Sequence, residues 1–480
     1  MKKILITLLI SSILGACNQT KKSEIAQKSP NQTQKVQKPV ASDSLYETAV
    51  IYEANIRQYS PKGDFNSFTK DIPKLKQLGV KIIWLMPIYP ISEVKRKAIG
   101  DKFVSDIKNP EEQKKYLGSP YAVADYTKVN PDFGTYDDLD YLIQTAHENG
   151  MIVILDWVAN HTGWDHPWIK NHPNFYTHNK KGEITDPLNA DGTSKGWQDV
   201  ADLNYDNPAL HKAMINDMSF WIKNHDIDGF RCDVAGEVPV SFWKEAIHTL
   251  RQQKPVFMLA EAWEPELLKD DMFDACYAWE GHFLLADMAK GKKTVKDWDA
   301  YVQKIDTMYE PDDILMNFTA NHDENSWKGT EDETFGKAKN LARVMTFMIK
   351  GMPLIYSGQE YGLKHRLKFF EKDLIDRTNG KDFELYTKLG HLKNTHPALN
   401  SGKKPADYTR IPVDNPDVLA FSRQKGNNKL IFVGNFSDKS QVINLPEKGS
   451  YTDYFNQKNY NLADDNINIP AWGYIVLIKK

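Results

Sequence analysis

The chain has 480 residues, of which 41% are hydrophobic and 26% are charged, the ordinary balance of a globular protein. Its formal net charge of −3 implies no polybasic surface for nucleic acid. This length suits about three domains, although barrels run long as single units.

The first seventeen residues predict a targeting segment. Two lysines precede an apolar run at 4–13 that is too short to span a membrane comfortably. The sequence LGAC at 14–17 resembles a bacterial lipoprotein signal, in which the cysteine becomes the lipidated first residue after cleavage. We therefore expect 1–17 to be a lipoprotein signal peptide with lipidation at Cys17. The alternative is an ordinary signal peptide in which the cysteine is incidental.

Residues 18–44 predict a flexible tether. They are polar, with repeated Gln, Lys, Ser and Pro, and carry too little apolar surface to bury a core. No later segment is apolar enough to span a membrane. We therefore expect an exported chain that is lipid-anchored to the bacterial cell envelope, in the periplasm or at the cell surface.

From residue 45 the pattern alternates strands and helices, which predicts an α/β fold with a parallel sheet. Eight apolar segments are long enough for strands, and eight strands can close a (β/α)8 TIM barrel, here placed at 45–397. The predicted strands cover 49–56, 82–86, 151–155, 226–234, 256–260, 274–278, 314–318 and 353–356. Helical spacing of apolar residues predicts helices over 68–78, 139–146 and 210–222.

Two further regions interrupt or follow this alternation. The polar stretch 161–207 is too long for an ordinary connection and predicts a domain inserted after the third strand. After residue 397 short strands with turn residues between them, at 418–422, 430–433, 440–445 and 474–478, predict a C-terminal antiparallel β-sandwich domain over 398–480.

Besides Cys17, only Cys232 and Cys276 are present, which is too few for a disulfide framework. The two could pair, but we expect two buried thiols.

Charged residues recur at the ends of the predicted strands. Arg231 and Asp233 lie two apart on one strand and so point to the same face. They form either a structural ion pair or a carboxylate held ionised by its arginine. Asp156, Glu261 and Asp323 stand at other strand ends, and in a barrel all these ends meet at the face where active sites are built.

Four segments in this set resemble the four sequence regions of the α-amylase superfamily of glycoside hydrolases, in the same order and at compatible separations. They are DWVANH at 156–161, GFRCD at 229–233, AEAW at 260–263 and FTANHD at 318–323. SPYAVADY at 119–126 and GMPLIYSGQE at 351–360 support the resemblance, which covers roughly residues 50–480.

The resemblance implies a retaining glycosidase. Asp233 would be the nucleophile, Glu261 the general acid/base, and Asp323 the residue that stabilises the transition state. Such an enzyme needs one ionised and one protonated carboxyl. We expect Arg231 to keep the pKa of Asp233 low. We expect partial desolvation to raise the pKa of Glu261.

The resemblance also implies contacts with the reacting sugar. His161 and His322 match the histidines around that sugar, and Tyr121 matches the aromatic residue that stacks on it. Asp156 would support the site from behind, near Arg231.

A calcium site is implied as well. Asn160 matches a calcium ligand of the family, and the stretch around Asp202 resembles the point where the insertion returns and supplies a carboxylate. Such hard oxygen ligands suit Ca²⁺. The alternative is an Asn–Asp hydrogen-bonded clasp without metal.

Four residues near the predicted catalytic acids bear on substrate preference, and they point to different enzymes of the family. Glu237, where many α-amylases carry histidine, resembles cyclomaltodextrinases and neopullulanases, and Val234 occurs in enzymes that accept α-1,6 links. Ala122 leaves room for a longer chain, which favours endo-type cleavage. Trp263 and Glu237 would line the leaving-group side.

We therefore expect an enzyme that hydrolyses α-1,4-glucans such as starch and maltodextrins. The alternatives are a cyclomaltodextrinase, neopullulanase or transglycosylase with the same site, and an inactive glucan-binding lipoprotein. The presence of all three carboxylates argues against the last.

Overall fold

The computed structural model describes residues 38–462 and 464–480. The predicted signal peptide, Cys17 and most of the predicted tether lie outside these residues. Eight strands form the centre of the fold, and we number them as barrel strands 1 to 8 in chain order. They are Ile51–Ala54, Ile82–Leu85, Ile152–Val158, Gly229–Asp233, Phe257–Ala260, Ala275–Tyr277, Ile314–Asn317 and Met352–Tyr356.

The eight strands close into a parallel barrel, so the predicted fold class is confirmed. Every pair of consecutive strands is hydrogen-bonded, and strand 8 closes the ring against strand 1. Gly229 begins strand 4 at φ +147°, and a Cβ there would lie 1.9 Å from the carbonyl oxygen of Phe257. Only glycine lets strands 4 and 5 approach this closely.

Inward-facing side chains fill the barrel, as expected of a packed interior and not a pore. The buried set includes Ile51, Ile82, Trp84, Ile152, Ile154, Leu259, Met316 and Leu354. Ala41 and Tyr46 belong to the same cluster, and Tyr46 packs on Phe257 at a centroid distance of 4.9 Å. The predicted tether end at residue 44 is therefore too late, because burial of Ala41 already fixes the chain there.

The helices surround the barrel. The longer ones are Tyr136–Glu148, Pro208–His225, Val240–Arg251, Trp279–Ala289, Val295–Met308, Lys339–Met348 and Lys381–Thr395. The helices predicted at 139–146 and 210–222 are confirmed, with longer bounds. Strand 5 is followed only by a 3₁₀ turn, Pro265–Leu268, before strand 6.

The predicted single helix over 68–78 is wrong. Two short helices, Phe65–Thr69 and Ile72–Gln77, replace it. Pro73 lacks a backbone N–H, and in a continuous helix its ring would clash with the carbonyl of residue 69. It instead occupies the first turn of the second helix, where no N–H is needed.

Two excursions, which are long segments between barrel strands, extend from the carboxyl ends of strands 2 and 3. The predicted insertion is small: strands His161–Gly163 and Val200–Asp202 pair antiparallel, with one short helix, Pro167–Asn171, between them. Its buried Phe175 and Tyr176 join the main core. A second excursion, residues 86–135 between strands 2 and 3, was not anticipated from the sequence.

The C-terminal strands form a six-stranded antiparallel sheet facing a two-stranded one, as predicted for a β-sandwich. The strands are Asp407–Ile411, Val418–Lys425, Asn428–Asn435, Gln441–Ile443, Ser450–Asp453, Asn459–Asn461, Ile467–Ile469 and Tyr474–Lys479. Alternate residues of the large sheet pack inside the sandwich or join the main core. Arg423 is fully buried and donates to the carbonyls of Met348 and Asn400.

Cys232 and Cys276 are both buried and unpaired, so the expectation of two buried thiols is confirmed. Within the part of the chain that the structure describes, no helix is both long and apolar enough to cross a membrane.

Candidate active site

A fully buried arginine joins the carboxyl groups at the end of the barrel. Arg231 Nη1 donates to Asp233 Oδ1 at 2.9 Å and to Asp156 Oδ1 at 2.8 Å. Its Nη2 lies 2.8 Å from Glu261 Oε2, and its Nε donates to the hydroxyl of Tyr277 at 3.1 Å. One guanidinium therefore positions acids from strands 3, 4 and 5, which the chain separates by more than a hundred residues. A charge buried this deeply is tolerated because it is paired on both sides.

Asp156 lies where the sequence placed it, beside Arg231 and fully buried. Its Oδ2 accepts hydrogen bonds from Trp84 Nε1 at 3.1 Å and from the Tyr121 hydroxyl at 2.9 Å. Three donors thus satisfy this carboxylate. It lies behind Tyr121 and Arg231 and acts on the site through them.

The residue after Asp233 has a strained backbone. Val234 adopts φ +36° and ψ +47°, a left-handed conformation that is costly for a β-branched side chain. Such strain costs on the order of 1–3 kcal/mol and concentrates at functional sites. Here it turns the Val234 N–H towards Glu261, whose Oε2 accepts it at 2.7 Å. The turn therefore couples the ends of strands 4 and 5.

Of the two carboxyls whose pKa was predicted from the sequence, Glu261 agrees with the prediction and Asp233 does not. Burial raises the pKa of Glu261, as expected, against the opposing charge of Arg231. Burial also raises the pKa of Asp233 well above its usual value, although Arg231 opposes the rise. The prediction of a low pKa at Asp233 is therefore wrong: it counted the arginine and omitted both burial and the nearby carboxylates of Glu261, Asp156 and Asp323. The two acids titrate as one coupled pair.

His322 connects Tyr121 with a second buried acid. Its Nδ1 lies 2.6 Å from Glu53 Oε1, and its Nε2 lies 2.7 Å from the Tyr121 hydroxyl. Because Tyr121 gives its own proton to Asp156, its oxygen accepts from His322, and both ring nitrogens are then donors. Burial lowers the pKa of His322, but the carboxylates of Asp323 and Glu53 outweigh it and raise the pKa to about 9. The imidazole is therefore cationic at neutral pH.

His161 differs from His322 in the direction of its pKa shift. Burial lowers its pKa to about 3, so this histidine is neutral in the folded protein. It lines the same cleft as Asp233 and lies edge-on to Trp197, with ring centroids 5.9 Å apart. A neutral ring can both donate to and accept from sugar hydroxyls.

All three predicted catalytic acids line one open cleft of about 300 Å³. Asp323 is the most exposed of them, with 39% of its side chain accessible, and lies 3.5 Å from His322 Nε2. The remaining lining combines polar and aromatic side chains from both excursions and from the loops after strands 7 and 8. It includes Lys97, Ser119, Tyr121, His161, Trp197, Asp199, Val234, His322, Trp327, Phe369 and Phe370.

Sequence reasoning missed several of these residues. Glu53, which contacts His322, lies one residue before the end of strand 1, so the rule that identified Asp156 and Glu261 could have found it. Trp327 follows Asp323 by one helical turn, a weaker signal. Phe369 and Phe370 lie in a loop after strand 8 whose path the sequence does not reveal.

Two predicted contacts lie outside the cleft lining. Trp263 is 57% exposed, and the side chain of Glu237 is 51% exposed. Glu237 Oε1 pairs with Lys195 Nζ of the insertion at 2.7 Å. Both stand at the rim, on the loops after strands 4 and 5. Ala122 is buried.

The predicted calcium ligands come together only in part. The short sheet of the insertion pairs His161 with Asp202, and Asn160 accepts a backbone hydrogen bond from Leu203. Ca²⁺ takes six to eight oxygen ligands. Among residues 38–462 and 464–480 no three acidic, histidine or cysteine side chains cluster as a metal site. The predicted ligands are an amide, one carboxylate and backbone carbonyls, which such a cluster would not contain, so the calcium site stays a prediction.

Comparison with known proteins identifies the family to which this chain belongs. Residues 29–398 match the family model described as the alpha amylase catalytic domain, and residues 408–476 match the maltogenic amylase C-terminal domain. The chain belongs to the alpha-amylase family of glycoside hydrolases. The cleft described above is therefore the candidate active site.

Several relatives carry different activity names. An alpha-amylase of Haloarcula japonica is 24% identical over 89% of this chain, which spans 61% of that protein's length. A cyclomaltodextrinase of Thermoanaerobacter pseudethanolicus is 26% identical over 86% of this chain and 71% of its own length. The structure of a noncanonic maltogenic alpha-amylase from Thermotoga neapolitana superposes with a TM-score of 0.78 at 28% identity, over 90% of this chain and 99% of that one.

Proposed function

We propose that the protein hydrolyses α-1,4-glucosidic bonds within starch and maltodextrins, with retention of configuration. The observation that carries this proposal is the pair of contacts that Arg231 makes with Asp233 and Glu261. These contacts, which we call the Arg231 hub, hold the two acids at adjacent strand ends beside one cleft. A pair of carboxyls flanking the bond is what a glycosidase requires. Membership of the family supports an α-glucan as the substrate.

In the first step, Glu261 donates its proton to the glycosidic oxygen while an oxygen of Asp233 attacks the anomeric carbon. The bond to the leaving sugar breaks, and the glycosyl group is held as an ester of Asp233. In the second step, Glu261 takes a proton from water, the water oxygen attacks the same carbon, and Asp233 leaves as a carboxylate. One water is consumed and the enzyme is restored.

The surrounding groups stabilise the charge that develops on the sugar. Asp323 is the exposed carboxylate beside the cationic His322, and together they can hold sugar hydroxyls as the ring distorts. The ring of Tyr121 stacks on that of His322 with centroids 5.2 Å apart and forms the floor beneath the sugar. Since these groups are already hydrogen-bonded in place, little reorganisation is needed during the reaction.

Endo-type cleavage is supported by the open cleft at the acids, whose polar and aromatic lining can admit a chain. The test is a digest of amylose, pullulan and cyclodextrin with sizing of early products, combined with proton NMR of the first anomer released. A mixture of medium-length maltodextrins in the α-configuration supports the proposal. A β-anomer, or glucose alone from the first minutes, contradicts it.

A second candidate is a cyclomaltodextrinase, neopullulanase or transglycosylating enzyme using the same acids. The observation that favours it is Glu237 at the leaving-group rim, paired with Lys195. Faster cleavage of cyclodextrin or pullulan than of amylose in the same digest would establish this candidate.

We also propose that Cys17 carries the lipid that anchors the enzyme to the cell envelope. Metabolic labelling with a radioactive fatty acid tests this. Label in the wild-type protein that is absent from Cys17→Ser supports an anchor, and label that persists in the variant contradicts it.

A further inference from the structure

Glu53 is a buried acid to which the proposed mechanism gives no role. It is fully buried on strand 1, two residues after Ile51, so both side chains point into the barrel. Glu53 lies outside the lining of the cleft and does not contact the sugar. Removing a carboxyl from water in this way is costly unless a partner compensates for it.

The partner of Glu53 is His322. Oε1 of Glu53 accepts two hydrogen bonds from this residue, one from Nδ1 at 2.6 Å and one from the backbone N–H at 3.3 Å. Oε2 is buried and has no hydrogen-bond partner among the residues that the structure describes. An unsatisfied buried oxygen is destabilising, so packing alone does not account for an acid at this position. What the carboxyl contributes is its contact with His322.

His322 is enclosed on its other sides by ordered neighbours. Its ring stacks on that of Tyr121 with 17° between planes, and the ring of Trp84 meets it edge-on at a centroid distance of 5.9 Å. Its Nε2 lies 2.7 Å from the Tyr121 hydroxyl and 3.5 Å from Asp323 Oδ2. Glu53 therefore binds one end of the imidazole, and the other end meets two groups that line the cleft. Because Glu53 is on a barrel strand, it fixes the ring from a rigid element.

Hydrogen bonds determine the charge of this imidazole. Tyr121 donates its proton to Asp156, so Nε2 of His322 must carry a hydrogen to bond the Tyr121 oxygen. Nδ1 must carry a second hydrogen to bond the carboxylate of Glu53. Only the cation has both. With a neutral amide in place of Glu53 the second requirement disappears, because an amide N–H can donate to a bare Nδ1.

Several charges act on His322. Burial has the largest effect and lowers its pKa, and the charge of Arg231 lowers it further. The carboxylates of Asp323 and Glu53 outweigh both and bring the pKa to about 9. Glu261 also faces the imidazole from strand 5. Asp323 has 39% of its side chain accessible, so water weakens its effect, whereas Glu53 is fully buried and acts at full strength.

We propose that Glu53 is a positioning residue for the reaction, which holds His322 as a cation below the reacting sugar. Through His322 it keeps Tyr121 and Asp323 oriented towards that sugar. This inference rests on the proposed glycosidase function and adds a residue that acts without touching the substrate. The charge of Glu53 is required, and not only its hydrogen bond.

The variant that isolates the charge is Glu53→Gln, which keeps the size of the side chain and a hydrogen bond to His322. It is made in a Glu261→Gln background, called the parent, and treated with α-maltosyl fluoride. This substrate needs no acid to leave, and in the parent residue 261 no longer titrates, so neither can mask His322. Fluoride release in the first turnover is followed from about pH 5.5 to about pH 10.

Loss of the carboxylate lowers the pKa of His322 by about 1–2 units, the effect of one close opposite charge. The alkaline limit of the first-turnover rate therefore moves from about pH 9 in the parent to about pH 7–8 in Glu53→Gln. Below about pH 6.5 the two proteins differ by no more than about threefold, and at about pH 9 they differ by roughly fivefold to fiftyfold.

Two further variants separate charge from packing. Glu53→Asp keeps the charge but shortens the side chain, so the rate falls at every pH while the alkaline limit stays nearer to that of the parent than to that of Glu53→Gln. Glu360→Gln is the matched control, because Glu360 is an equally buried acid outside the cleft lining that accepts from the Tyr52 hydroxyl at 2.6 Å. It leaves the rate and its alkaline limit unchanged.

Nitrogen-15 NMR of labelled histidine measures the charge of His322 directly, with His322→Gln to assign its signal. A cationic ring in wild-type protein at about pH 7.5 that becomes largely neutral in Glu53→Gln supports the inference. A ring that is neutral in wild-type protein at this pH overturns it without any variant of Glu53. An alkaline limit that is the same in Glu53→Gln and in the parent also overturns it, and so does an equal loss of rate at every pH.

The same measurements separate this inference from the proposed function. A parent that releases fluoride, with an unchanged alkaline limit in Glu53→Gln, overturns the role of Glu53 alone. Wild-type protein that neither cleaves maltoheptaose nor consumes α-maltosyl fluoride overturns the proposed function and this inference with it.

Discussion

The centre of the candidate active site and its exposed rim at Glu237 and Trp263 are built in opposite ways. At the centre, Arg231 and Asp156 are fully buried, and each contacts two or more partners. At the rim, Glu237 and Trp263 are more than half exposed, and Glu237 contacts the insertion through one ion pair. Exposed ion pairs contribute about 0–1 kcal/mol, whereas breaking a buried one costs about 3–5 kcal/mol.

This difference separates two properties of the enzyme. The centre fixes the reaction, because any change there leaves a charge buried without its partner. The rim can change at little cost in stability, so it is suited to decide which leaving sugar or acceptor is used. The relatives carry amylase, cyclomaltodextrinase and maltosyltransferase names. We expect mutations at the centre to abolish turnover and mutations at the rim to change products.

The largest effect is expected at the catalytic acids. Asp233→Asn or Glu261→Gln lowers kcat on maltoheptaose by roughly 10⁴-fold or more, because each removes a group that forms or breaks bonds. Binding of maltoheptaose, measured by calorimetry, survives within about tenfold. Near-normal turnover in either variant would exclude that residue from its proposed role.

The second largest effect is expected when Arg231 is substituted. Arg231→Lys keeps the charge, but an ammonium cannot bridge three carboxylates as the planar guanidinium does. We expect kcat to fall by roughly 10²- to 10³-fold and unfolding free energy to fall by about 3 kcal/mol, as for a broken buried pair. The control is Arg366→Lys, at an exposed pair with Glu333. Equal effects of the two substitutions would contradict the contrast between buried and exposed charges.

A pH effect on stability is expected from His322. Its folded pKa of about 9 exceeds the ordinary value of 6.5, so its contribution to stability is complete below pH 6.5 and is lost as the pH rises through 9. Glu360, which is buried, and Asp217, which is partly buried, have pKa values of about 7 and finish titrating earlier. Denaturant unfolding between pH 7.5 and 9 should therefore show falling stability that His322→Asn flattens. An identical slope in wild type and variant would contradict a cationic His322.

The smallest effect is expected at the rim. Lys195→Met or Glu237→Gln breaks a pair whose carboxylate is 51% exposed and whose lysine is 16% exposed, and we expect the melting temperature to change by a few degrees at most. We expect the ratio of hydrolysis to transfer, measured by product sizing at high maltotriose concentration, to shift by about twofold to fivefold in both variants. An unchanged ratio would show that the rim does not select the acceptor.

The same contrast explains what the sequence could predict. Eight apolar segments and the strand-end acids were enough for the barrel and for the position of Arg231, because strand alternation and barrel closure bring strand ends together. The pKa direction at Asp233 was wrong because burial and like charges depend on packing across strands. The break at Pro73 could have been anticipated from the proline.

The positions of the loops after the strands could not be predicted from the sequence, for a different reason. Phe369 reaches the cleft only because Arg57 and Gln58 hold its loop through backbone carbonyls. Such contacts leave no pattern in side-chain spacing. The rim position of Trp263 was likewise inferred from its motif, which says nothing of exposure.

The central claim is that Asp233 forms a covalent bond to the sugar while Glu261 moves the proton. The most direct test treats the Glu261→Gln variant with an α-maltosyl fluoride, whose leaving group needs no acid, and maps the protein by mass spectrometry. We expect a maltosyl adduct to accumulate on the peptide containing Asp233, because the second step lacks its base. An adduct on a different residue, or rapid consumption of the fluoride with no adduct, would contradict it.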